Sequence, residues 1–414
     1  MKKYGCIGNP LKHSFSREIH GMLAEYEYEL MELLEKEVVE LLEKKEFTAI
    51  NVTIPYKQTV IPYLDTVSPV AQRIGAVNTI VNKDGKLFGY NTDYYGMKAL
   101  IERMGLSLAN KKVLVLGTGG TGKTAVAVAQ DMGALEIHTV SRRKEGDHIT
   151  YEDAISCYND AQIIINTTPV GMYPKCSGVP VQISSFPNLE GVVDAVYNPI
   201  CTDLVLDARE KGIKAEGGLY MLVCQAIYAV ERFLDTKIAE GVAEIVYKTV
   251  LQEKQNIVLT GMPGCGKSTV GKLLDIDGYE YFDTDKEIEK RCGCTIKELI
   301  SQKGEAYFRD LESLVIQEIS SVGCRIISTG GGAVLREENV RSLKHNGVLF
   351  FIDAPLSSLV ATSDRPLSDT EEKLCRLYEE RIGIYKSTAD VIVPYMETPT
   401  EEALYIMEKR RELL

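Results

Sequence analysis

Positive charge is what this chain has too little of. Its 414 residues carry 47 Lys and Arg against 59 Asp and Glu, a formal net charge of −12. That balance argues against nucleic-acid or anionic-membrane partners, which need broad positive potential. A phosphorylated ligand must instead meet local clusters of Arg, Lys and backbone N–H groups. Long apolar runs are missing too. No stretch of about 18 apolar residues occurs, and Lys2 and Lys3 lead into Gly8-Asn9-Pro10 with no signal-like apolar core between. The ten cysteines are scattered, and the tightest pair, Cys292 and Cys294, has one residue between, where structural zinc sites use two or more. Buried free thiols in a reducing cytoplasm are expected. Low-complexity segments and solenoid-period repeats are absent as well.

What is present is an alternation of short apolar strands and helical segments, the signature of an α/β protein with largely parallel sheets. At roughly 100 to 200 residues per domain the length suggests two to four domains. The pattern Gly, four residues, Gly-Lys-Ser/Thr occurs twice, at Gly117 to Thr124 and at Gly261 to Ser268. Each copy follows an apolar run and precedes a helical stretch, so local context does not separate them. Glycine placement does. Only the first copy also satisfies the dinucleotide fingerprint, with Gly117 for a tight turn, Gly119 for close approach of a pyrophosphate and Gly122 for helix packing; Gly120 lies inside the same loop. The next apolar run, Ile137 to Val140, ends in Ser141-Arg142-Arg143, where a guanidinium suits a 2′-phosphate and an acid would suit unphosphorylated ribose. The first copy is therefore read as an NADP(H) site, with Lys123 and Thr124 as ordinary first-turn residues. The second is read as a true phosphate loop.

Several polar clusters end apolar runs upstream: Ser14 and Ser16 after Gly8-Asn9-Pro10, then Asn51 to Lys57, Gly75 to Thr79 and Gly89 to Asp93. Singly each is a turn, a cap or a surface pair. Together and in order they resemble the shikimate dehydrogenase family over about residues 4 to 250. The resemblance implies that Ser14, Ser16, Thr53, Asn78 and Asp93 bind the hydroxyls and carboxylate of a small cyclic acid, and that Lys57 and Asp93 are the catalytic pair. Hydride delivery to a ketone leaves negative charge on oxygen, which a positioned ammonium neutralises by giving a proton. It further implies a nicotinamide-side segment Asn166 to Met172 that includes Thr167, a later motif at Gly217-Gly218, and substrate contacts from Tyr197 and Gln225. Arg17 departs from the family, which commonly has proline there.

From Asn256 onward the chain resembles shikimate kinase. Gly261, Gly264, Cys265, Gly266, Ser268 and Thr269 would cradle ATP phosphates, Lys267 would reach the β/γ oxygens, and Ser268 would ligate Mg²⁺. An apolar run from Tyr279 to Phe282 leads into Asp283-Thr284-Asp285, where alternation points both carboxylates to one side; a helix N-cap is the plain alternative. The resemblance assigns Asp285 to the accepting hydroxyl as its base and Asp283 to the metal. Arg309 and Arg381 would clamp the substrate carboxylate, Gly330, Gly331 and Gly332 would approach its ring, and Arg365, in Asp364-Arg365-Pro366-Leu367, would sit on a mobile lid.

The expected organisation is a substrate-binding domain over 1–104, completed by helices of about 220–252, a Rossmann NADP-binding domain over 105–219, and a phosphate-loop kinase domain with a parallel sheet over 256–414. A helix over 238–250 and a polar linker at 252–255 separate the enzymes. The implied chemistry is reduction of 3-dehydroshikimate to shikimate by NADPH, then phosphorylation to shikimate 3-phosphate by MgATP. Two alternatives stay open: a quinate/shikimate enzyme using NAD beside a small-molecule kinase, and a nucleotide-binding regulatory protein with decayed sites. Oligomeric state is left open.

Overall fold

The computed structural model describes residues 3–11, 14–359 and 370–413. The chain divides into two compact units, Met1–Val250 and Leu251–Leu414. The first unit holds two six-stranded sheets and the second a five-stranded one.

The first sheet is built from β1 (Tyr4–Gly8), β2 (Tyr28–Glu32), β3 (Ala49–Val52), β4 (Thr66–Val67), β5 (Thr79–Lys83) and β6 (Lys86–Tyr90), in the order β2-β1-β3-β5-β6-β4. It is mixed: β5 runs antiparallel to both β3 and β6, and the short turn at Asp84-Gly85, both at positive φ, joins β5 to β6 as a hairpin. The helix Leu219–Leu234 returns from later in the chain to pack on the helices Ser16–Leu23 and Asp93–Arg103 of this lobe. Arg17 Nε donates to the Tyr28 carbonyl at 3.1 Å, tying the first helix to β2.

The second sheet has β7 (Lys112–Leu116), β8 (Glu136–Ser141), β9 (Ile149–Thr150), β10 (Ile163–Asn166), β11 (Gly191–Asp194) and β12 (Lys214–Glu216). All its pairs are parallel, and its order, β9-β8-β7-β10-β11-β12, is that of a dinucleotide-binding Rossmann sheet, whose ligand crevice opens where the order reverses, between β7 and β10. Helices on both faces make its central strands continuous apolar runs: Val113 to Leu116 and Ile163 to Ile165 are wholly buried.

The third sheet, β13 (Asn256–Thr260), β14 (Glu280–Asp283), β15 (Arg325–Ser328), β16 (Gly347–Asp353) and β17 (Val391–Pro394), has the order β14-β15-β13-β16-β17 and is parallel throughout. The helix expected over 238–250 lies instead at Val242–Lys254. Its last turn takes up residues 252–254 of the expected linker. The Gln252 carbonyl accepts from Arg410 at 2.9 Å and from the Tyr279 hydroxyl, which also donates to the Gln255 carbonyl at 2.8 Å. Tertiary partners thus hold this polar stretch in place. No described helix is long and apolar enough to cross a membrane, and all ten cysteines are free.

Candidate active sites

In the first unit the dinucleotide loop follows β7. Gly117 adopts φ +107°, and a Cβ on it would come within 2.8 Å of Thr167 Oγ1; Thr167 is itself fixed by donating to the Leu116 carbonyl at 2.7 Å. Gly122 packs against the Gly117 carbonyl with no room for a side chain, whereas Gly119 faces open space within 4 Å. Tight turn, close packing and open cradle are the three demands of a pyrophosphate site, so the loop fits a dinucleotide. Ser141 ends β8, and Arg142 and Arg143 follow it, both exposed. Gly218 caps the helix Leu219–Leu234 and donates its N–H to the Val196 carbonyl at 2.8 Å.

Facing this loop is the lysine–carboxylate pair. Asp93 is the first residue of the helix Asp93–Arg103, and Lys57 Nζ donates to Asp93 Oδ2 at 2.6 Å with both side chains about nine-tenths buried. The Asp93 end of the helix is set by a buried network. Asn78 Oδ1 accepts from the Thr92 N–H at 2.7 Å, Asn78 Nδ2 donates to Thr92 Oγ1 at 3.0 Å, and Thr92 Oγ1 donates to Gln225 Oε1 at 3.4 Å. Asn78, expected to touch substrate, is therefore committed in good part to Thr92. Ser14 Oγ donates to Ser16 Oγ at 3.0 Å. Burial pushes the Tyr197 hydroxyl up to about 12, opposed by its hydrogen bond with Ser14, so these three expected contacts sit together. Thr53 lies against Gly8 and donates its N–H to the Ile7 carbonyl at 2.9 Å.

In the second sheet Asp194, which ends β11, is fully buried and accepts from Asn166 Nδ2 at 2.9 Å, the Val196 N–H at 3.0 Å and Thr202 Oγ1 at 2.7 Å. Burial nevertheless pushes its carboxyl up to about 6. These bonds tie the Asn166–Thr168 segment to the turn carrying Tyr197.

The second unit gathers its groups at the carboxyl ends of β13, β14 and β15, around a cleft of about 450 Å³. Gly261, Gly264 and Gly266 all have positive φ, the backbone curl on which an anion nest is built. Lys267 is buried and donates to the Gly261 and Met262 carbonyls at 2.9 and 3.0 Å, with Cys265 Sγ 3.8 Å away. Ser268 Oγ donates to Asp283 Oδ2 at 2.9 Å: the two oxygens expected to hold a metal are already adjacent, and Mg²⁺ needs few protein ligands beside phosphates and water. Thr269 is exposed one residue further along the helix Lys267–Leu273.

Strand alternation does not place Asp285 beside Asp283. The strand stops at Asp283, whose side chain caps the helix Thr284–Cys292 by accepting from the Lys286 N–H at 3.3 Å, and Asp285 sits in the first helical turn. Both still line the cleft. Burial, then the Glu312 and Asp283 carboxylates, push Asp285 up to about 6. Arg309 stands on the helix Glu305–Ser320 and donates to Glu312 Oε2 at 2.7 Å. Arg381 donates to the Gly331 carbonyl at 3.0 Å, an oxygen that also accepts from the Tyr385 hydroxyl. The Gly330 N–H donates to Thr284 Oγ1 at 2.9 Å, and Gly332 lies directly on the Arg309 guanidinium. Arg365 lies outside the described residues. Sequence reasoning missed Glu312, whose Oε1 is buried without a partner; its spacing of three from Arg309 on a helix was the available signal.

The geometry defines a class: a nucleotide-dependent oxidoreductase joined to a phosphotransferase. Comparison with known proteins narrows it. Models of the shikimate dehydrogenase substrate binding domain and of shikimate kinase match residues 6–80 and 263–410 respectively. Shikimate dehydrogenase (NADP(+)) of Clostridium beijerinckii is 39% identical, over 59% of this chain and 98% of that protein. Shikimate dehydrogenase 1 from Peptoclostridium difficile superposes with a TM-score of 0.57 at 34% identity, over 60% of this chain and 98% of that one. The Thermus thermophilus shikimate 5-dehydrogenase in complex with NADP(H) and shikimate gives 0.53 at 30%, over 60% and 99%. The chain belongs to the shikimate dehydrogenase family and carries a shikimate kinase domain behind it.

Proposed function

We propose that this chain reduces 3-dehydroshikimate to shikimate with NADPH and phosphorylates shikimate to shikimate 3-phosphate with MgATP. The observation that carries the reading is the buried Lys57–Asp93 pair at 2.6 Å beside a dinucleotide loop, in a chain whose other unit has its own phosphate loop and acid-lined cleft. NADPH supplies the hydride. Lys57 gives the proton to the ketone oxygen and Asp93 orients the ammonium. Exposed Arg142 and Arg143, at the position where an acid would hold an unphosphorylated ribose, favour the 2′-phosphate. This weighs against the quinate alternative, and the intact polar networks of both sites weigh against a decayed regulator.

In the kinase, Asp285 is suited to take the proton of the accepting hydroxyl because its raised pKa brings it toward neutrality. Arg309 and Arg381 would hold the substrate carboxylate, and Lys267, at the phosphate loop, would hold the β/γ phosphates of bound ATP. Ser268 and Asp283 would hold Mg²⁺, which would neutralise charge on the phosphate oxygens. Ten free thiols support a reducing, cytoplasmic setting.

The test is mass spectrometry of the products formed from 3-dehydroshikimate, NADPH and MgATP. Wild type yields shikimate 3-phosphate. Lys57→Ala slows reduction by about 10² to 10⁴ while phosphorylation of added shikimate persists. Full reduction by that variant removes Lys57 from the mechanism.

A further inference from the structure

We infer that Thr121 positions the proton donor of the reductase, an inference that rests on Lys57 being that donor. Lys57 Nζ has a second partner besides Asp93: it donates to Thr121 Oγ1 at 3.3 Å. Asp93 belongs to the substrate-binding lobe, whereas Thr121 is the second residue of the helix Gly120–Asp131 that opens from the dinucleotide loop. The lysine therefore spans the cleft between substrate and cofactor. Its stem runs against the loop as well, since a Cβ on Gly120 would stand 3.2 Å from Lys57 Cδ.

One carboxylate fixes how far the ammonium sits from Asp93 but leaves it free to swing about the line from Nζ to Asp93 Oδ2. A second acceptor in a different direction removes that freedom. With two N–H groups aimed at Asp93 and Thr121, the third is left for the ketone oxygen. In the step itself a C–H bond of the reduced nicotinamide would break, oxidising NADPH to NADP⁺, as its hydride forms a C–H bond at the ketone carbon; the carbonyl π bond opens, an O–H bond forms at its oxygen, and one N–H bond of Lys57 breaks. The neutral amine then regains its proton from water.

The same helix is fastened to the substrate lobe along its length, which keeps Thr121 within reach. Lys123 Nζ donates to Gln58 Oε1 at 3.1 Å, Asn91 Nδ2 to Thr124 Oγ1 at 3.3 Å, and Tyr94 and Arg73 both donate to Asp131, at 2.6 and 2.9 Å. Cofactor loop and proton donor are thus parts of one closed arrangement, and the Thr121 hydroxyl is the link that reaches the reacting group.

The test compares Thr121→Val, which keeps the shape, with Thr121→Ser, which keeps the hydroxyl. For the valine variant kcat for reduction is expected to fall about tenfold, the scale of one hydrogen bond to a charged group. The KM for NADPH stays put, and the solvent deuterium isotope effect on kcat rises as proton delivery becomes limiting. Serine restores both. NADPH binding, followed by its fluorescence, shows that each variant is folded. A valine variant with wild-type kcat and isotope effect, or a serine variant as impaired as valine, overturns the inference. Lys57→Ala separates the two levels: if it retains reduction, the assignment of Lys57 as acid falls, whereas an inactive Lys57→Ala beside a fully active Thr121→Val sinks only the role of Thr121.

Discussion

His20 shows what burial does to a single ionisable side chain. It is wholly inaccessible, stacks on Tyr28 with ring centroids 3.9 Å apart, and shares a hydrogen bond with the Tyr26 hydroxyl at 2.7 Å. Burial pulls its pKa from 6.5 down to about 3. The unfolded chain therefore takes up a proton near pH 6.5 while the folded one does not until about pH 3. The stabilisation is complete above 6.5 and is lost as pH falls through that window, by about 1.4 kcal/mol per unit. His20→Phe removes the titrating group and should flatten the acid side of the stability curve, at some cost at neutral pH from the lost Tyr26 bond. Urea midpoints of the full chain at pH 7 and pH 5 check this; a variant as acid-sensitive as wild type would show that other groups set the slope.

Among the elements, the two glycine-rich loops pose the sharpest contrast, because the Gly-Lys-Ser/Thr pattern fits both and the structure uses them differently. Lys267 is buried against its own loop carbonyls. Lys123 is exposed and turned to Gln58, and the Thr124 hydroxyl donates to the Gly120 carbonyl at 3.0 Å. Lys267→Ala should eliminate ATP-dependent phosphorylation of shikimate and Lys123→Ala should leave it intact; loss of kinase in the latter would invert the assignment. Glycine spacing made this legible in the sequence, as did the apolar runs of β7, β10 and β13, which are buried on both faces. The two-residue strands β4 and β9 were not legible, since only their neighbours make them strands. Nor was the helical start of Asp285, which reads equally well as strand alternation, or the place of Thr121, which has no local signature and matters only through a lysine 64 positions away.

At the scale of the whole molecule, the place to separate the two enzymes is set by acceptors and not by polarity. A kinase fragment beginning at Asn256 loses the Gln252 carbonyl that meets Arg410, a residue already buried with its Nε unpaired. It also loses the Lys254 backbone that packs on Gly323. It should be less stable than a fragment beginning at Val242 by about 1 to 3 kcal/mol, with both phosphorylating shikimate in mild conditions; equal urea midpoints would argue that these acceptors contribute nothing. The free cysteines have a bearing on such comparisons. Cys6, Cys176, Cys201 and Cys224 are buried in the first unit and Cys265 in the second, while Cys157 and Cys375 are exposed. Shielded thiols are inert until their surroundings open, and burial holds Cys6 and Cys224 up to about 12. Each enzyme thus carries a latent chemical tag, and pulsed alkylation read peptide by peptide can time the opening of one against the other within a single uncut chain.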